Sequence, residues 1–223
     1  MSIEDSFDYN QTLTGLGKID HYEILQELGG GGFGSVYLAR DSTSRVLVAI
    51  KGLPPSVKND NEDMENIRNN FTIVHDLHHP HIAAALVLHR ANKVCYSKEE
   101  VRQKLRVLEG DPLLVMAYAP GVTLSKWRRQ FPKNIVPTDQ AIEIVRQVAS
   151  ALDYAHAEKV LHRDVKPANV MIETKADGSI TARVLDFGLA AEIRSSLGRS
   201  AGQVHDTSGT RPYMAPEQWI GAR

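Results

Sequence analysis

The sequence predicts an α+β protein of two lobes, a small antiparallel β lobe followed by a helical lobe. Short β-rich segments at about 21–29, 34–40 and 46–51 lie in the first part of the chain and are separated by turn residues. A further apolar strand at 113–116 ends this β-rich part. Beyond residue 117 the apolar residues recur at helical spacing, which predicts that the second lobe is mainly helical.

Length and composition are those of a soluble chain in a reducing compartment. The 223 residues include 26 basic and 27 acidic ones, so nothing suggests a nucleic-acid or polybasic membrane surface. Cys95 is the only cysteine, and no apolar run approaches the roughly 20 residues of a membrane span, so we expect a cytoplasmic protein. We expect a flexible leader at 1–17, a first lobe at 18–116 with an insertion at about 89–112, and a second lobe at 117–223.

A glycine-rich segment links the first two predicted strands. It contains G-x-G-x-x-G at Gly29, Gly31 and Gly34, and glycine lets backbone N–H groups approach phosphate oxygens closely. In dinucleotide-binding and Walker-type loops such a segment opens a helix, whereas residues 35–40 here alternate as a strand. We therefore predict a β-hairpin flap over a nucleotide. A plain glycine-rich turn is the alternative.

Lys51 closes the third predicted strand, at the end of the segment Val-Ala-Ile-Lys. A lysine in that position is by itself most simply a solvated strand end.

Two short polar segments carry the residues with the most chemical meaning. Residues 162–169 are HRDVKPAN and residues 186–188 are DFG. One acid that takes a hydroxyl proton, with an amide and a second acid that bind a divalent cation, is the set needed for phosphoryl transfer. A single Asp in a loop is more often a turn former, but the full string in this order resembles the catalytic loop and metal-binding motif of the eukaryotic-like (Hanks-type) protein kinases.

This resemblance implies transfer from ATP, with Mg²⁺, to serine or threonine hydroxyls of a protein substrate. Asp164 would act as the base, Lys166 would neutralise the transferred group, and Asn169 and Asp186 would hold Mg²⁺. Lys51 would contact the α and β phosphates. The implied nucleotide-binding residues, including the gatekeeper Met116, are Leu28, Gly29, Gly30, Gly31, Gly32, Phe33, Gly34, Ser35, Val36, Ala49, Lys51, Met116, Ala117, Ala119 and Met171. The implied partners are ATP and a protein, without nucleic acid, and a sensor or regulatory domain could be fused to the chain.

The predicted helix at 63–77 departs from the family pattern. An active member has a glutamate there that pairs with the strand lysine, and the expected position holds Asn70. Asp63 lies two turns earlier on nearly the same face, about 10 Å away along the axis. Glu65 would reach the site only if the helix carried a short insertion or deletion. Two expectations are therefore open. Either the activity is lost or weakened because Lys51 lacks its usual glutamate, or a shifted helix register restores Glu65 to the site.

An insertion precedes the strand at 113–116. A capping box at 97–100 is followed by Val101, Leu105 and Leu108 at helical spacing, and Gly110 ends the run, which predicts a short amphipathic helix. We favour a surface decoration over a docking element for a partner.

Two helices are predicted before the catalytic loop. The first, at 123–131, carries Trp127. The second begins with Thr138 as its cap, and its predicted buried stripe consists of Ile142, Val145, Val148, Ala149, Leu152 and Ala155. By the resemblance, His162 and Phe187 would pack against Val74.

Residues 186–217 resemble an activation segment. Candidate phosphorylation sites there are Thr207 and Ser208, followed by Ser195, Ser196 and Ser200, and Arg163 would receive the phosphate. Thr210 would bond Asp164 and Lys166. The resemblance stops soon after Glu217, so we expect a truncated second lobe and an uncovered apolar face on the helix at 139–158.

Three functions compete. The first is a serine/threonine protein kinase of bacterial style. The second is a pseudokinase or nucleotide-binding scaffold, which Asn70 and the missing distal lobe favour. The third, a small-molecule phosphotransferase, has less support because residues 210–217 resemble a segment built for a protein substrate.

Overall fold

A computed structural model of the chain describes residues 15–31, 34–54, 61–97, 105–187 and 211–216. The chain divides into two units, which are described separately below. The first contains residues 1–78 and 83–119, and the second contains residues 79–82 and 120–223.

The first unit is built on one antiparallel sheet, as the β-rich pattern predicted, and the described residues form seven strands of it. Their order across the sheet is β5-β7-β4-β3-β2-β1-β6. The strands are β1 (Gly17–Ile19), β2 (Tyr22–Gly31), β3 (Gly34–Asp41), β4 (Leu47–Gly52), β5 (Ala85–Arg90), β6 (Val94–Tyr96) and β7 (Pro112–Ala117).

One face of this sheet carries an apolar core. Alternate residues of the central strands, such as Tyr37, Ile50 and Val115, lie on this face and are 0–1% exposed. Since successive side chains of a strand point to opposite faces, Ala49 and Lys51 belong to the other face. There Lys51 lies between its cross-strand neighbours Val36 and Leu114.

The helix α1 (Asn61–His75) contributes buried residues that do not belong to the first core. They are Asp63, Met64, Ile67 and Val74, at the spacing of one helical stripe. His75 Nδ1 lies 3.0 Å from the carbonyl oxygen of Ala85, which ties the end of α1 to β5.

The described end of the insertion between β5 and β7 is part of the core, which corrects the prediction of a surface decoration. Residues 98–104 lie outside the described part, but 105–108 belong to neither a helix nor a strand. Leu105 and Val107 are each 1% exposed, whereas Leu108 is 56% exposed. The apolar spacing was misjudged because this alternation of period two was read together with Val101. The Arg106 backbone N–H donates to the Tyr37 hydroxyl at 3.0 Å, which fastens the segment to the sheet.

The second unit combines short helices with a small sheet of order β10-β9-β8. Its elements are β8 (Val122–Thr123), α2 (Leu124–Trp127), α3 (Thr138–Ala157), β9 (Val170–Thr174), β10 (Ile180–Val184) and four 3₁₀ turns at 128–130, 132–134, 167–169 and 211–213. Thr123 caps α2 by accepting the Lys126 N–H at 3.4 Å. Trp127 is buried against the small sheet, and its Nε1 donates to Thr174 Oγ1 at 3.2 Å.

The cap predicted for α3 was wrong, and its predicted buried stripe was right only at Ala155, with Val148 and Leu152 half-buried. Thr138 is its first helical residue, and Pro137 occupies the capping position without a side-chain cap. The buried stripe consists of Ile144, Gln147, Ala151 and Ala155, while Ile142 and Val145 are 63% and 66% exposed. The error arose because the stripe was chosen from apolar residues alone, and a glutamine lies at the centre of the true one. Among the described residues, no helix is both long and apolar enough to cross a membrane.

Candidate functional site

Three polar residues of the predicted catalytic loop lie together in the second unit. Lys166 Nζ lies 2.9 Å from Asp164 Oδ2, and the two side chains are only 15% and 3% exposed. The Asn169 amide Nδ2 donates to the same Oδ2 and to the Asp164 carbonyl oxygen, each at 2.9 Å. The 3₁₀ turn Pro167–Asn169 places Asn169, because Pro167 presets the helical φ of its first residue. The result is a buried carboxylate with an ammonium group and an amide aimed at one oxygen.

His162 connects this loop to the residues before Asp186. Its ring is 2% exposed, and Nδ1 accepts the Asp164 N–H at 3.1 Å. Nε2 therefore carries the proton and donates to the Leu185 carbonyl oxygen at 2.8 Å. Burial lowers the pKa of His162, although the bond to Leu185 and the nearby acids oppose this. The Phe187 ring lies 4.7 Å from the His162 ring. The packing of both against Val74 stays a prediction.

Backbone geometry at the two polar segments is unusual. Arg163 has φ 61° and Asp186 has φ 59°, in the left-handed region that residues other than glycine seldom adopt. Such conformations persist only where surrounding contacts hold them. One of these contacts is the Leu185 N–H bond to the Asn169 carbonyl oxygen at 2.9 Å. This bond ties the residue before Asp186 to the loop that carries Asn169.

Lys51 is buried in the first unit. It is 6% exposed, so the interpretation of Lys51 as a solvated strand end is wrong. On α1, Glu65 is exposed, and the half-buried Asn70 amide donates to the Asn66 carbonyl oxygen at 3.1 Å, one turn back. Asp63 is 1% exposed and is the deepest acid of the helix.

The predicted flap is a hairpin of β2 and β3, whose register pairs Gly31 with Gly34. Gly34 has φ +100°, and a Cβ built there would lie 1.9 Å from the Gly52 carbonyl oxygen, so a larger residue cannot occupy this position. No atom of the described residues lies within 4 Å of a Cβ built on Gly29. Leu28, Gly30, Ser35 and Val36 lie on the same two strands, whereas Gly32 and Phe33 lie outside the described residues.

The residues predicted to surround an adenine ring belong to both units. Ala49, Met116, Ala117 and Ala119 are in the first unit, and Met171 is on β9 in the second. The Ala117 N–H donates to the Ala84 carbonyl oxygen at 2.8 Å, so a ligand would meet the Ala117 carbonyl rather than its N–H. Met116 is 9% exposed and ends the buried part of β7.

Sequence reasoning missed two polar side chains that bind the strand before Asp186. Gln147 and His81 both bond the backbone of β10 at its outer edge. One signal was available for Gln147, since a lone amide within a buried helical stripe needs internal partners. Gly188, Thr207, Ser208, Thr210, Glu217 and the serines at 195, 196 and 200 lie outside the described residues.

Comparison with known proteins gives consistent matches. The protein kinase domain model matches residues 22–222. Serine/threonine-protein kinase PknF of Mycobacterium tuberculosis is 34% identical over 201 residues, which are 90% of this chain and 38% of that protein. Probable serine/threonine-protein kinase PknB of Lactococcus lactis is 30% identical over 210 residues, covering 93% and 29% of the two chains. The chain thus spans less than half the length of these relatives.

A solved structure matches as well. The crystal structure of a double mutant of the Mycobacterium tuberculosis PknI kinase domain has a TM-score of 0.66 and 25% sequence identity. The match covers 92% of this chain and 68% of that one.

Proposed function

The chain belongs to the protein kinase domain family, as its motifs predicted, and we propose that it transfers the γ-phosphoryl group of ATP to serine or threonine hydroxyls of proteins. The observation that carries this proposal is the buried group of Asp164, Lys166 and Asn169. An acid held between an amide and an ammonium group is suited to orient a hydroxyl beside a phosphate.

In the proposed reaction, the hydroxyl oxygen of the substrate attacks the γ phosphorus while the bond to the β-phosphate oxygen breaks and ADP leaves. Asp164 orients the hydroxyl and takes its proton. The Lys166 ammonium, 2.9 Å from the acid, also faces the charge that spreads over the transferred oxygens. Burial of this pair strengthens its electrostatic effect, because little water screens it.

Asn169 and Asp186 are suited to a magnesium ion, since amide and carboxylate oxygens are its preferred protein ligands. The Asn169 Nδ2 is turned to Asp164, so its Oδ1 is the atom available to a cation. When bound, the ion would neutralise charge on the phosphates. Among the described residues, no group of three or more His, Cys, Asp or Glu side chains could hold a metal. A site completed by phosphate oxygens and water accords with the usual coordination of Mg²⁺.

Lys51 and the glycine hairpin would bind the phosphates of ATP. Its adenine ring would pack against Val36, Ala49 and Met171. Asn70 occupies the position where the family has a glutamate. We propose that Asp63 supplies the negative charge for Lys51 instead. Both side chains are almost fully buried in the first unit, and burying an ammonium or a carboxylate is costly unless it is compensated. Lys166, two residues after Asp164, favours serine and threonine over tyrosine as the acceptor.

The test is incubation of the full-length protein with Mg²⁺ and ATP labelled at the γ phosphate, using a basic protein as acceptor. We expect labelled phosphoserine or phosphothreonine, and a loss of about 10³-fold or more in Asp164→Asn, since removal of one group of a catalytic set has effects of this size. Activity unchanged by Asp164→Asn would overturn the mechanism.

A pseudokinase that binds nucleotide without transfer is the second candidate. The observation favouring it is Asn70, whose amide bonds its own helix and carries no charge. Magnesium-dependent transfer that is abolished by Lys51→Met would exclude this candidate.

A further inference from the structure

The strand that leads to Asp186 lies at the edge of its sheet, where β9 is the neighbouring strand on one side and a single parallel bridge pairs Val184 with Ile82 on the other. Along β10, the N–H and C=O groups of successive residues point to opposite edges of the strand. Those of Ile180, Ala182 and Val184 point to the outer edge, and those of residues 181 and 183 point towards β9. The outward-facing groups of such an edge strand lack a strand partner, and leaving them unbonded in the interior is costly.

Two side chains and one main-chain segment satisfy this edge. Gln147 Nε2 donates to the Ile180 carbonyl oxygen at 2.9 Å, and Gln147 Oε1 accepts the Ala182 N–H at 2.6 Å. His81 Nδ1 lies 2.9 Å from the Ala182 carbonyl oxygen and donates to it. The Val184 N–H donates to the His81 carbonyl oxygen at 2.8 Å. The four outward groups from the Ile180 carbonyl to the Val184 N–H are therefore all bonded.

The hydrogen-bond partners of the Gln147 amide allow only one assignment of its oxygen and nitrogen. Its oxygen faces a backbone N–H, while its nitrogen faces two acceptors, the Ile180 carbonyl oxygen and Glu143 Oε1. Glu143 is in turn held by Arg146, with contacts of 2.6 and 3.0 Å. An amide fixed in this way acts as a rigid two-point partner for the strand.

From these contacts we propose that Gln147 and His81 are positioning residues for Asp186, an inference that rests on the proposed function. β10 ends two residues before Asp186, so a strand bonded along both edges restricts where this acid can lie. The Leu185 N–H bond to Asn169 continues the same restraint towards the second proposed cation ligand. Groups that orient a metal ligand affect metal binding without touching the metal.

The variants for the test are Gln147→Met, which keeps length but removes the amide, and His81→Phe, which removes the donor. His81→Asn is the conservative variant, because its Nδ2 can replace Nδ1. Val145→Met is the matched control, since it introduces the same side chain at a position of α3 that is 66% exposed.

The first readout is the Mg²⁺ concentration that gives half-maximal phosphoryl transfer. We expect a rise of about 10- to 100-fold in Gln147→Met and His81→Phe, the usual effect of losing an outer-shell partner, with the KM for the protein substrate unchanged. His81→Asn and Val145→Met should behave as the wild type. A general structural defect would instead change both quantities, and unchanged Mg²⁺ dependence in both loss variants would overturn the proposal.

The second readout does not depend on catalysis. Amide hydrogen exchange at Val184 and Leu185 should become about tenfold faster in both loss variants, corresponding to one lost hydrogen bond of about 1.4 kcal/mol. Unchanged exchange there would contradict the proposal even if the wild-type protein transferred no phosphate. If Gln147→Met fails to fold, the comparison of His81→Phe with His81→Asn decides the question.

Discussion

The side-chain amide of Asn169 donates to both the carbonyl oxygen and the carboxylate Oδ2 of Asp164, each at 2.9 Å. This relationship gives the asparagine two functions in the proposed site. Its nitrogen donates to the proposed catalytic acid, and its oxygen is the atom that would bind the proposed cation. An aspartate of the same size can perform only the second, because it has no donor.

Asn169→Asp should therefore lower kcat by at least about 100-fold, since a carboxylate beside Asp164 replaces a donor by a like charge. Half-maximal activity should not move to a higher Mg²⁺ concentration, because an oxygen ligand remains. Steady-state kinetics over a range of Mg²⁺ concentrations test this. A variant with wild-type kcat would show that the amide donor is dispensable.

Asp63→Asn should reduce the activity and the ATP affinity by about tenfold, the equivalent of one charge-assisted hydrogen bond. Glu65→Gln on the same helix is the control, because Glu65 is exposed and should be replaceable without effect. Titration calorimetry with ATP and measurement of initial rates compare the Asp63→Asn and Glu65→Gln variants. Equal behaviour of the two variants would contradict the role proposed for Asp63.

The second unit should lose stability as the pH falls below about 6.5, the pKa of an unperturbed histidine. Burial lowers the pKa of His162 in the folded protein, so the unfolded chain takes up the proton first. The stabilisation is fully present above that pH and is lost as the pH falls towards the lowered pKa. Protonation would also break the bond from the Asp164 N–H to Nδ1.

Urea unfolding at several pH values measures this effect. His162→Phe should unfold more easily at neutral pH and show a smaller pH dependence. His156→Asn, at an exposed position of α3, should retain the wild-type dependence. A wild-type stability that is independent of pH in this range would oppose the expectation.

Gly34→Ala should destabilise the first unit by about 2 kcal/mol or more, because its backbone has positive φ and its Cβ would overlap the Gly52 carbonyl oxygen. Gly29→Ala is the control, because a Cβ built there meets no atom of the described residues within 4 Å, and it should change the melting temperature little. Calorimetry of both variants measures the difference. Similar melting temperatures would show that the hairpin can rearrange to accept the methyl group.

Leu105→Ala should cost about 2–5 kcal/mol, the usual range for truncating a buried leucine. Leu108→Ala, three residues later and 56% exposed, should cost much less. Chemical unfolding of the two variants distinguishes an inserted segment that belongs to the core from one that decorates the surface. A small effect of Leu105→Ala would restore the surface interpretation.

Local patterns predicted much of the fold and the candidate site. The strand alternation of 34–40, the glycine hairpin and the order of Asp164, Lys166, Asn169 and Asp186 involve residues near each other in the chain. For that reason the local patterns predicted the two lobes, and the motifs carried the resemblance to the protein kinases; the comparisons confirmed the fold and the family.

Tertiary contacts decided the rest. Leu105 is buried because the insertion returns to Tyr37, 69 residues away from Arg106, and Gln147 is buried because β10 lies against α3. His81 bonds Ala182 across 101 residues. The sequence by itself determined which chemical groups the protein has and their local turns. Only the folded structure decided which polar groups are buried together, because the cost of burying each one depends on the partner that distant parts of the chain supply.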